Sequence, residues 1–193
     1  MYKLLRMDAP NYATQREFDI SYMNLNKLPD ELRLYTNLKK LNCSYNNLTY
    51  LDNLPPHLKD LICNDNKITH IDNLPQSLEG LWCSRNQITY LSNLPPNIEY
   101  LNCSYNKLTH LDNLPLNLIT LNCNDNFITQ LDNLPQFLEE LNCWDNKITK
   151  FNNLPESLRR LSHLGNPLEY DFPITLDNII KYNANLLDEI DRY

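Results

Sequence analysis

The sequence predicts an α/β solenoid. Its coils would stack short parallel β-strands into one sheet on a concave face, and leave turns, polyproline-like and 3-10 pieces on the convex face. A helix would close the C-terminal end. Three observations predict this. Cysteine stands at Cys43, Cys63, Cys83, Cys103, Cys123 and Cys143 and nowhere else, always twenty residues apart. The residues around each thiol repeat with the same period, which is the mark of stacked units. Two glycines stand against 12 prolines, because each unit closes on a Leu-Pro pair.

The unit reads L-x-x-L-x-C-x-x-N-x-[LI]-T-x-[LI]-D-N-L-P-x-x. Its first leucine slot holds Leu38, Leu58, Leu78, Ile98, Leu118, Leu138 and Leu158, and its second runs from Leu41 to Leu161. Asn46, Asn66, Asn86, Asn106, Asn126, Asn146 and Asn166 keep register without an insertion. Leu41 and Cys43 are two apart, so both side chains point to one face of a short strand, while Asn42 and Ser44 point to the other. A parallel strand must be followed by a right-handed crossover. The crossover here is too short and too proline-bound for a helix, and Leu54, preceding Pro55, is pushed to an extended conformation. The asparagine sits where the chain leaves the strand, so its amide is expected to pair backbone groups that lose their ladder partners.

The pattern L-x-x-L-x-L-x-x-N-x-L, with cysteine in the third leucine slot, resembles leucine-rich repeat proteins. The 20-residue length and closing N-L-P are similar to the short bacterial-effector class. The Cys- and Asn-rich dialect is similar to repeat proteins of giant DNA viruses of the mimivirus kind. The resemblance implies a horseshoe fold, and it leaves function open, because this scaffold carries many tasks. It places the solenoid over residues 18–170, in coils 18–40, 41–60, 61–80, 81–100, 101–120, 121–140, 141–160 and a partial 161–170. An N-terminal segment, 1–17, precedes it and a helical cap, 171–193, follows.

The ends depart from the unit as exposed solenoid edges require. Phe18 to Leu41 reads as a longer first coil, with Met23 in the asparagine slot, as suits a covered edge. The last coil carries His163 in place of cysteine. Beyond it Thr175 is an N-cap candidate, and Leu176, Ile179, Ile180, Leu187 and Ile190 form one apolar helical face.

Several chemistries are weighed and set aside. Net charge is −7, whereas nucleic-acid binders carry a basic stripe. No apolar run is long enough to span a membrane, and no secretory leader is visible at the N-terminus. The cysteines read as buried small hydrophobes. Parallel strands keep their Cβ atoms about 5 Å apart, beyond the disulfide range, and a straight file of thiols offers no tetrahedral zinc site. His70 and His110 share a slot two coils apart, about 10 Å by strand spacing. Asp52, Asp72, Asp112 and Asp132 share a turn slot, where carboxylates bond backbone N–H groups. No catalytic residues, metal or cofactor are therefore expected.

Function is expected on the concave face, where residues vary within a fixed frame. Tyr45, Ile62, Trp82, Arg85, Tyr100, Tyr105 and Trp144 are the candidate partner-binding residues, since aromatics and arginine dominate protein interfaces. Gly80 beside Trp82 leaves room for a partner side chain, and Asn102, Ser104 and Tyr105 are free to differ within their coil. The expectation is a non-enzymatic interaction scaffold for a protein partner: monomeric, intracellular and cytoplasmic (host cytoplasm if viral), with the virion as a second location. The alternatives are a substrate-recognition subunit of a ubiquitin ligase and a structural component of a viral particle or assembly.

Overall fold

The computed structural model describes residues 13–190, with the side chains of the C-terminal helix only as far as Asn183. Residues 1–12 of the predicted N-terminal segment, and the side chains of Leu187 and Ile190, lie outside the described residues.

Eight three-residue strands stack in chain order into one parallel sheet. They are β1 (Glu17–Asp19), β2 (Lys40–Asn42), β3 (Asp60–Ile62), β4 (Gly80–Trp82), β5 (Tyr100–Asn102), β6 (Thr120–Asn122), β7 (Glu140–Asn142) and β8 (Arg160–Ser162). We number the coils by their strands. The register advances 20 residues per coil, except that β1 pairs with β2 through Phe18↔Leu41, a step of 23. The three extra residues of coil 1 accommodate a single 3-10 helix, Asp30–Leu34. In the later coils the convex side is turns. In coils 3 to 7 the Leu-Pro pair is followed by a bond such as Leu118 N to Pro115 O, 3.1 Å, for which the extended residue before proline sets the chain direction.

The core is a file of identical slots. All six thiols are buried and free, stacked beside the buried Leu41, Leu61, Leu81, Leu101, Leu121 and Leu141. Each such leucine or isoleucine contributes roughly 1.5–3 kcal/mol by leaving water, but only because its neighbours above and below complete the enclosure. Burial pushes the Cys43, Cys103 and Cys143 thiols up to about 12 and the remaining three well above the ordinary value.

Between strand and turn the asparagine slot joins coil to coil. The Asn106 amide donates to Cys103 O and Ser104 O in its own coil and to Cys83 O in the preceding one, at 3.0–3.1 Å. Its Oδ1 accepts from Ile88 N, also in the preceding coil, at 2.9 Å. Asn66, Asn86, Asn126 and Asn146 repeat the pattern. Met23, in the same slot of coil 1, is exposed rather than covered, and its own N–H is received by Asn46 Oδ1 at 3.1 Å.

Helix α1 (Leu176–Ile190) starts at Thr175, whose Oγ1 accepts from Asn178 N at 3.2 Å. Ile179 is fully buried in the core, whereas Ile180, expected on the same face, is exposed. The helix docks on the turn side of coil 7, where Asn183 Nδ2 donates to Phe151 O. Tyr170, in coil 8, brackets the same Phe151 backbone, accepting from its N–H at 2.8 Å.

Candidate protein-binding face

The outward strand positions form one surface. Ile62 lies beside Trp82 in the β3–β4 register, and Trp82 beside Asn102. Tyr100 follows Gly80 in the same row and is 45% exposed. The space at Gly80 is already taken, contrary to expectation. A Cβ there would collide with the Trp82 ring and lie 2.9 Å from Asp60 Oδ1, so the indole lies folded across the glycine. Gly80 therefore seats Trp82 rather than a partner side chain. Burial raises the Asp60 carboxyl above its ordinary value, with Lys40 pulling the other way.

Tyr45, Arg85 and Tyr105 are not strand residues. They occupy the turn after the strand, each with a left-handed backbone, φ between 52° and 54°. Asp65, Asp125 and Asp145 hold the same slot with the same sign of φ. This conformation costs L-residues roughly 1–2 kcal/mol, and it tips these side chains to the rim of the sheet. There the row organises itself. Tyr45 stacks on Tyr22 at 4.3 Å, the Arg85 guanidinium lies 4.2 Å over the Tyr105 ring, and Tyr105 meets the edge of Trp144 at 6.2 Å. Desolvation, with the charge of Asp125 adding to it, raises the Tyr105 hydroxyl above its ordinary value.

The predicted residues thus fall into an inner set of Ile62, Trp82 and Tyr100, and a rim set of Tyr45, Arg85, Tyr105 and Trp144. Tyr22, outside the predicted set, joins the rim through its stack on Tyr45. Its signal is the 23-residue step of coil 1, which aligns Tyr22 with Tyr45. Ser104 drops out: it is 4% exposed and its Oγ donates to Asn102 Oδ1 at 2.7 Å.

The other polar slots carry little chemistry. Among the described residues Asp52, Asp72, Asp112 and Asp132 accept no backbone N–H bond; the neighbouring Asn53, Asn73, Asn113 and Asn133 make the turn instead by adopting positive φ. His70 and His110 each bond the preceding threonine, at 3.0 and 2.9 Å, and face Asp72 and Asp112 at 3.9 and 3.7 Å. Among the described residues no group of three or more His, Cys, Asp or Glu is placed to hold a metal ion, and no helix is long and apolar enough to cross a membrane.

The family model described as Leucine Rich Repeat matches residues 37–61. This chain is a leucine-rich repeat protein. Among solved structures it is similar to YopM, a leucine-rich effector protein from Yersinia pestis, at 36% identity and TM-score 0.75, over 82% of this chain and 45% of that one. YopM from Yersinia enterocolitica WA-314 matches at 31% identity and TM-score 0.65, over 82% and 40%. The chain therefore spans less than half the length of either. The functional domain of InlJ from Listeria monocytogenes, which includes a cysteine ladder, shares the fold at 23% identity and TM-score 0.56, over 79% and 45%. No curated protein matches the chain.

Proposed function

We propose that this leucine-rich repeat chain is a non-enzymatic, monomeric scaffold that binds a protein partner with its sheet face, through Ile62, Trp82 and Tyr100 and the aromatic–arginine rim beside them. The observation that carries this is an exposed Tyr100 next to an indole seated on glycine, on a frame whose backbone is held coil to coil. Such a frame loses little ordering entropy on binding, and aromatic and arginine side chains are the usual interface anchors. The likeness to effector proteins of Yersinia supports a host protein as partner and the host cytoplasm as the place of action.

Capture from a cell extract tests this, with the intact chain and a Trp82→Ala/Tyr100→Ala variant as baits. Both substitutions lie outside the buried core, so the variant is expected to keep its circular dichroism and melting temperature within a few degrees while losing the captured protein. An unchanged capture would overturn the reading.

A further inference from the structure

A recess opens on the rim among the described residues. It lies between coils 6 and 8, measures about 340 Å³, and is lined by Asp125, Phe127, Asp145, Lys147 and Gly165 with the buried Asn126 and Asn146 behind. Tyr105 and Trp144, edge to face at 6.2 Å, stand beside it in the same and the adjoining slots. Gly165 takes a left-handed backbone, φ 73°, and the Asp145 carboxylate lies where its Cβ would be. Any larger residue would displace that carboxylate.

Two features single the recess out. Asp125 and Asp145 form no ion pair among the described residues; Asp125 accepts from Asn124 Nδ2, at 2.7 Å, and from the Tyr105 hydroxyl, and Lys147 on the wall pairs with neither. On the same rim the Arg85 guanidinium lies over the Tyr105 ring, so an aromatic side chain of this face already receives a cation. An external cation would find the Phe127 side chain and two carboxylates without an ion pair on the walls of the recess, and both attract it. The charge of the whole face agrees. Outside the Arg160–Glu140 pair, the strand and rim slots carry Lys40 and Arg85 against Glu17, Asp19, Asp60, Asp65, Asp125 and Asp145.

We propose that the recess takes a lysine or arginine side chain of the protein partner, so that the segment crossing the sheet face is a basic one. The inference rests on the sheet face being the binding surface, and its test separates the two. Random twelve-residue peptides displayed on phage are panned on the intact chain. The selected peptides, made synthetically, are then titrated against Asp125→Asn/Asp145→Asn, Lys147→Ala and Trp82→Ala variants of matched melting temperature. The expected result is enrichment of Lys and Arg, binding about tenfold weaker in the double asparagine variant and stronger in Lys147→Ala, and a loss of affinity with added salt. Enrichment of acidic or uncharged peptides, no enrichment at all, or asparagine variants that bind as the parent does would each overturn it. The Trp82→Ala arm reports on the sheet face alone. Weaker binding there with no asparagine effect removes the basic partner and keeps the face; the reverse pattern removes the face.

Discussion

A single asparagine closes each coil, and its effect on stability is expected to exceed that of any surface residue. Asn106 is buried and supplies backbone partners in two coils. In Asn106→Ala the N–H of Ile88 and the carbonyls of Cys83 and Cys103 lose their side-chain partner, and an unsatisfied buried polar group costs about 1–3 kcal/mol. We expect a loss of about 3 kcal/mol or more in urea unfolding, against a smaller loss for the half-buried Asn166. The thiols give a pH signature of known sign. Their folded values lie above the ordinary 9.0, so the unfolded chain releases thiol protons first. Stability is fully present below pH 9 and is lost as pH rises toward 12. The loss reaches about 1.4 kcal/mol per buried thiol near pH 10. Urea midpoints measured from pH 7 to 10.5 check this, with a Cys→Ala variant of one coil shallower in slope. A flat profile would show that the thiols meet water in the native state. In the folded protein at pH 8, a thiol reagent should react only at the rate of opening.

At the level of the element, each of coils 2 to 7 turns twice through left-handed backbone, once after the strand and once at the asparagine before Leu-Pro. Asparagine tolerates that conformation and alanine does not. Asn93, exposed with φ 53° and without a side-chain bond among the described residues, isolates the effect. We expect Asn93→Ala to lower stability by about 1 kcal/mol and Asn93→Gly to change it little, measured by thermal unfolding. These turns also decide how far the sequence could be read. Strand, core and thiol positions were legible because leucine and cysteine recur at fixed spacing and a parallel ladder has one register for them. The inner residues Ile62 and Trp82 followed from simple alternation. The rim did not. Alternation ends after Cys43, and the left-handed slot that follows holds Tyr, Asp and Arg, with glycine to announce it only at Gly165. The indole folded over Gly80 was equally hidden, since side-chain direction on an open sheet follows from the neighbours' sizes rather than from the period.

For the whole molecule, stability is a sum over neighbouring coils. Removing one unit in register, residues 81–100, joins surfaces that already match, because coils 3 and 5 present the same leucine, cysteine and asparagine slots to each other. The shortened chain is expected to fold cooperatively with a lower melting temperature, whereas a deletion of ten residues, 81–90, should abolish the transition. Calorimetry of the two deletions checks this.

The asparagine bonds also run one way along the chain. Each amide reaches back to the coil before it, down to Asn46, whose Nδ2 bonds Ile20 O of the first coil. During synthesis, then, a coil cannot be finished by its own residues and waits for the amide of the next. At about 5–20 residues per second, completion trails the ribosome by one unit, roughly one to four seconds. A unit added by duplication at the growing end would arrive carrying the latch for whatever coil came before it, which is how an array of this kind can lengthen without redesign.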